Sequence, residues 1–136
     1  MEGLSRKMSL ETRNTDAARP DATLRWAGRL LFLTAIVLIT DLALQPGYAT
    51  PPRLFGSDKL EHLLAFMTLA MLARMGWPRQ PVWALGIVLL GYGLGLEIVQ
   101  SMDWVGRTAS MADVAADAIG VLIGFGLTAL FLRFLR

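Results

Sequence analysis

A chain of 136 residues that is 54% hydrophobic and only 18% charged, with a mean hydropathy of +0.50, carries more apolar surface than a water-soluble domain of its size can hide. Lipid is the solvent that fits, and the net charge of +2 is spread along the chain without a basic face, so no nucleic-acid partner is expected. Zero cysteines exclude disulfides, thiolate zinc sites and cysteine nucleophiles, and a single histidine, His62, excludes a multi-histidine metal centre within one chain.

Residues 1–23 are polar, mixed in charge and poor in aromatics, so they bury too little apolar area to offset the entropy of ordering and are expected to form a disordered tail. Four apolar segments follow, over residues 24–44, 60–77, 82–100 and 114–135. At about 1.5 Å per residue each covers a hydrocarbon core of about 30 Å, the second only with its flanks. Backbone groups in lipid must be satisfied within the segment, which predicts helices. The expected fold is all-α: a polytopic membrane protein whose residues 24–136 form a bundle of four transmembrane helices, with no repeat and no second domain. A cleavable signal over residues 25–49 is suggested by the small-x-small pattern at Gly47 and Ala49, but the apolar stretch starts late behind a long polar tail, and an uncleaved first helix is expected.

The connections are short and carry helix breakers: Pro46, Gly47, Pro51 and Pro52 in the first, Pro78 and Pro81 around the second, Gly106 in the third. Ten of the 13 Lys and Arg residues belong to the N-terminal part, the second turn and the C-terminus, leaving Arg53, Lys59 and Arg107 on the other side. The positive-inside bias therefore predicts cytoplasmic termini, outward first and third loops, and a multi-pass location in a bacterial inner membrane. Trp26, Trp77, Trp83 and Trp104 fall at the predicted interfaces, as anchors would.

The acids near the membrane gather at the outward helix ends. Asp41 closes the first helix; Asp58, Lys59, Glu61 and His62 open the second; Glu97 and Gln100 close the third; Asp113 and Asp117 open the fourth, with Arg107 in the loop before it. A charge at the centre of a membrane helix costs roughly 2.5–3.5 kcal/mol even on the lenient insertion scale. Asp41 lies close enough to the interface to reach water and reads as structural, whereas Glu97 is deeper, is opposed by its own helix's C-terminal dipole and needs a partner. Asp58 with Glu61, and Ser110 with Asp113, also fit capping boxes. Asp58 and His62, Glu97 and Gln100, and Asp113 and Asp117 are three or four residues apart, so each pair shares a helix face and the three faces are expected to meet beneath the outer surface.

Arg107 can bridge two carboxylates there or hold an anionic ligand with both arms of its guanidinium. A purely structural ion-pair network gives the same pattern. His62, Glu97, Asp113 and Asp117 are the candidates for chemistry, and Asp58, Lys59, Gln100 and Arg107 for ligand binding. A metal held by His62, Glu97, Asp113 and Asp117 is conceivable on ligand type but is not adopted, and no cofactor is expected. Gly91 with Gly95 and Gly120 with Gly124 are GxxxG pairs. Packing of the third helix on the fourth through them would bring Glu97 toward Asp117; a homodimer through one face is the alternative.

Three stretches in order, SDKLEHLLAF at 57–66, EIVQ at 97–100 and GRTASMADVAADAIGVLIG at 106–124, resemble the VanZ-like family of small membrane proteins. That family shows an Asp-Lys pair with a His three residues after the Lys, a Glu-x-x-Gln ending a later helix, and an Arg, Asp, Asn, Gly pattern leading into the last helix. These fall here on Asp58, Lys59, His62, Glu97, Gln100, Arg107, Asp113 and Gly120, with Asp117 standing where the family usually has Asn. The resemblance implies a place in the cell envelope and a link to glycopeptide (teicoplanin) resistance, without supplying a reaction.

Three functional classes are compatible with these residues. One is an outward-facing polar pocket that binds, or acts on, a lipid-linked envelope precursor, Lys59 and Arg107 anchoring phosphate or carboxylate while His62 and Glu97 exchange protons. The second is a non-enzymatic assembly subunit whose polar network fixes helix register. The third, an ion-coupled transporter, is less favoured by four helices without a symmetric repeat. Membrane lipids are partners in every case.

Overall fold

The structure, a computed structural model, describes residues 3, 21–49, 52, 55–108 and 110–134. Among them are four long helices, α1 (Ala22–Ala43), α2 (Asp58–Gly76), α3 (Val82–Gln100) and α4 (Met111–Phe134), with a short 3-10 turn at Gly47–Ala49. The fold is all-α. The expected disordered tail falls almost wholly on residues outside those described. Its last residues belong to α1, because the Asp21 carboxylate accepts the Leu24 N–H at 2.7 Å and so starts the helix two residues ahead of the apolar run. α2 and α4 likewise begin before their apolar stretches, at Asp58 and Met111, since a first helical turn favours polar and acidic residues that hydropathy alone excludes.

α1, α3 and α4 are long and apolar enough to cross a membrane. Their exposed surfaces are mostly apolar: Leu30, Leu31, Val37 and Leu38 on α1, Trp83, Ile87 and Val88 on α3, and Leu122, Phe131 and Phe134 on α4, with Asp41 and Arg133 near helix ends among the exceptions. Helices with such broad apolar surfaces suit lipid. α2 carries Asp58, Lys59 and Glu61 at its start and Arg74 near its end, and its middle is enclosed by the other three helices. Phe66, Leu69, Ala70 and Ala73 of α2 join Leu89 and Val121 in the buried core. A helix that faces protein on most sides needs less apolar surface than one that faces lipid, which is why α2 is the least hydrophobic of the four.

Glycine sets the close approaches. A methyl at Gly120 would collide with the Leu63 carbonyl oxygen, and one at Gly124 with that of Met67, so α4 lies against α2 with its N-terminus at the same end. This corrects the expected packing of α3 on α4 through paired GxxxG faces. Gly120 and Gly124 are taken by α2, while a methyl at Gly91 or Gly95 would meet no other element within 4 Å among the described residues; α3 approaches through Gly93, whose added methyl would lie 2.5 Å from Asp117 Oδ2 and 2.9 Å from Phe66 Cζ.

At the opposite end, Gly28 of α1 meets Gly76 of α2. Arg29 Nε donates to the Gly76 carbonyl at 2.9 Å, and its guanidinium lies 5.0 Å from the Trp26 ring and 5.5 Å from the Trp77 ring. Consecutive helices therefore alternate in direction. The C-terminal ends of α1 and α3 and the N-terminal ends of α2 and α4 share one face of the bundle.

Candidate functional site

That shared end is built from unsatisfied helix termini. The Ala43 carbonyl closes α1 without an intrahelical partner, and Gln100 Nε2 of α3 and Arg107 Nη1 both donate to it, at 3.0 and 3.3 Å. Arg107 reaches this point because Gly106 adopts a φ of +65°, a left-handed conformation that turns the loop after α3 back, and the Arg107 N–H donates to the Gln100 carbonyl at 3.1 Å. Its other arm, Nη2, lies 3.4 Å from Asp58 Oδ1 at the start of α2. One arginine thus ties α1, α2 and the third loop together.

Asp58 is the first residue of α2 and not its cap. Ser57 occupies the cap position without a side-chain hydrogen bond, and Glu61 Oε1 accepts the Phe55 N–H at 3.4 Å. The Asp58 carboxylate is thereby left for Arg107. The capping box expected at Ser110 and Asp113 is also replaced. Glu97, reaching from α3, accepts the Ser110 N–H on Oε2 at 2.7 Å and so takes the role a local acid would have at the head of α4. Glu97 is 3% exposed, and its partner is a helix N-terminus with its partial positive charge.

Deeper in the bundle, His62 Nδ1 and Asp117 Oδ1 are 2.9 Å apart, with Asp117 1% exposed against Gly93 and Phe66. Lys59, largely exposed, places Nζ 3.9 Å from Asp113 Oδ1, outside hydrogen-bond reach. Oxygens of Asp58 and Asp113 and a ring nitrogen of His62 lie within 4.8 Å of one another. Three buried carboxylate oxygens, Glu97 Oε1, Asp113 Oδ1 and Asp117 Oδ2, have no hydrogen-bond partner among the described residues.

Two depressions open at this end. A polar cleft of about 240 Å³ is lined by Asp58, Gln100, Arg107, Thr108 and Asp113. A wider, mostly apolar groove of about 600 Å³ runs along α1 between Ile36 and Pro46 and includes Thr40, Asp41 and Leu44. The Ala43 carbonyl, which accepts from Gln100 and Arg107 of the cleft, lies between the groove residues Asp41 and Leu44 in sequence.

All eight residues singled out from the sequence therefore lie at one end of the bundle, but in separate pairings. Arg107 serves Asp58 and Ala43 and makes no ion pair with Glu97; His62 serves Asp117. Thr108 and the Ala43 carbonyl went unnoticed in the sequence. The carbonyl could have been anticipated, because every helix C-terminus presents acceptors that something must satisfy.

The fold and the gathered polar end define a polytopic all-α membrane protein with an ionisable cluster at one helix-end surface. A comparison with family models matches VanZ/LLP1 over residues 8–132, and the chain belongs to this family. No curated protein and no solved structure matches it. The three motifs that carried the resemblance are those whose side chains and backbone build the cleft and the pairs around it.

Proposed function

We propose that the polar cleft and the α1 groove together bind an amphiphilic, lipid-linked cell-envelope precursor at the outer face of a bacterial inner membrane. The observation that carries this reading is that Ala43, whose carbonyl accepts from the cleft residues Gln100 and Arg107, lies in sequence between Asp41 and Leu44 of the apolar α1 groove. A phosphorylated head group fits the first and a polyprenyl chain the second. Arg107 and Lys59 supply the positive charge, and Gln100 and Thr108 neutral hydrogen-bonding groups. This reading also assigns proton exchange to His62 and Glu97, which lie behind the cleft lining, His62 against Asp117 and Glu97 at the head of α4. In this reading all four helices span the membrane with both termini cytoplasmic, as the arginine distribution favours, and the phenotype is altered teicoplanin susceptibility.

Mass spectrometry of lipids retained by the protein purified in mild detergent tests it. A polyprenyl phosphate or pyrophosphate species should be retained by the wild type and lost from Arg107→Gln. Recovery of bulk phospholipids alone, in equal amounts from both, would overturn it. A second reading, assembly, is favoured by one observation: among the described residues, a methyl added at Gly91 or Gly95 of α3 would meet no neighbouring element within 4 Å, leaving that GxxxG pair open to a second copy. Cross-linking that gave dimers from the wild type and none from the doubly substituted Gly91→Leu, Gly95→Leu protein would support it.

A further inference from the structure

We propose that Asp58, His62 and Asp113 hold a divalent first-row transition cation such as Zn²⁺ or Mn²⁺. Their ligand atoms lie within 4.8 Å of one another, on two helix N-termini locked together by the close packing of α2 on α4. Binding requires the donors to close to separations of roughly 3.3 Å, as metal–ligand distances of about 2.0–2.2 Å demand, a change within the range of side-chain rotation.

A second observation points into the same space. Asp113 is 5% exposed, and among the described residues its Oδ1 has no hydrogen-bond partner, with the exposed Lys59 ammonium 3.9 Å away. A buried carboxylate oxygen left this way is costly, and a cation is the partner that would satisfy it.

The histidine is arranged as a metal ligand requires. With its Nδ1–H donated to Asp117, His62 keeps the lone pair on Nε2 for the cation, and Asp117 fixes both tautomer and ring orientation. Asp117 is thus a positioning residue, and an acid here orients the ring more strongly than an amide would. Two carboxylates and one imidazole suit borderline divalent ions better than Mg²⁺ or Ca²⁺, which take all-oxygen shells. Three protein ligands leave at least one position open, beside the cleft that contains Arg107 and Thr108.

This differs from the four-residue set considered from sequence: Glu97 serves the head of α4 and Asp117 the His62 ring, while Asp58, whose Oδ1 lies 3.4 Å from Arg107, binds the cation through its other oxygen or in exchange for that pair. It does not rest on a lipid ligand, since it is tested on the protein with no lipid added.

The full chain, purified without a histidine tag and stripped with EDTA, is titrated with Zn²⁺ by calorimetry and loaded with Mn²⁺ for pulsed EPR. One Zn²⁺ per chain is expected. Because the chain has a single histidine, imidazole-nitrogen coupling to Mn²⁺ would assign His62 in the wild-type protein without a substitution. His62→Ala and Asp113→Asn should each weaken Zn²⁺ binding at least about 100-fold and Asp117→Asn roughly 10–100-fold, while Asp103→Asn in the third loop leaves it unchanged. Binding well below one equivalent, absence of the nitrogen coupling, or undiminished affinity in folded His62→Ala would overturn the proposal.

Discussion

Glu97 lies in the last turn of α3, where its own helix presents partial negative charge, yet it is 3% exposed. Its position is accounted for by α4, whose N-terminus supplies both the Ser110 N–H at 2.7 Å and the favourable end of a second helix dipole. Glu97→Ala would strand that N–H and should cost about 1–3 kcal/mol. Glu97→Gln keeps an acceptor and loses only the charge–dipole attraction, about 0.3–1 kcal/mol, so the protein should still insert and fold. Unfolding titrations in mixed micelles distinguish the two. In a double-substitution cycle, Glu97→Gln and Arg107→Gln should be additive within about 0.5 kcal/mol, because they share no contact, whereas Asp58→Asn and Arg107→Gln should show coupling of about 0.5–1 kcal/mol. Strong coupling in the first cycle would mean that Arg107 is the partner of Glu97 after all.

At the scale of the helix, glycine position decides which neighbours can approach. Gly120 and Gly124 are pressed against the backbone of α2, and backbone cannot rotate aside. Gly120→Ala should therefore destabilise the protein by about 1–3 kcal/mol. Gly91→Ala and Gly95→Ala meet nothing within 4 Å and should be neutral or stabilising by up to about 1 kcal/mol through helix propensity. Thermal unfolding of the three single variants checks this contrast; equal destabilisation by all three would show that α3 uses its GxxxG face as α4 does. Gly93 is a different case. Its obstacles are side chains, Asp117 and Phe66, so a methyl there would disturb the His62–Asp117 pair before it disturbed the bundle.

For the whole molecule, the alternation of helix direction puts residue 80 and residue 108 at opposite ends of the bundle. The chain has no cysteine, so single cysteines report cleanly on each side. With cytoplasmic termini, as ten of 13 basic residues favour, Gln80→Cys should be labelled only after the membrane is permeabilised, and Thr108→Cys should react with an impermeant maleimide in intact cells. Reversed labelling would put the polar cleft on the cytoplasmic side and remove the basis for an envelope ligand. Labelling of both from one side would contradict the alternation of the helices.

Hydropathy and connection length are properties of neighbouring residues, and what depends on them was legible in the sequence. Four helices follow from four apolar runs, α3 with the bounds Val82–Gln100, and short connections between alternating helices place Asp58, His62, Glu97, Gln100, Asp113 and Asp117 toward one end. The motifs also sufficed for the family. Which polar groups pair was not legible, because residues in one helix do not determine how that helix is rotated about its axis relative to the next. The close contacts of Gly120 and Gly124 with α2, and of Gly93 with Asp117, fix those rotations. They give Glu97 to the head of α4, Arg107 to Asp58 and Ala43, and His62 to Asp117, and they leave Asp113 beside Asp58 and His62 with an oxygen unsatisfied. Sequence alone determined which residues could carry the chemistry; the tertiary structure decided their partners, because pairing in a bundle depends on interhelical distance and rotation set by packing.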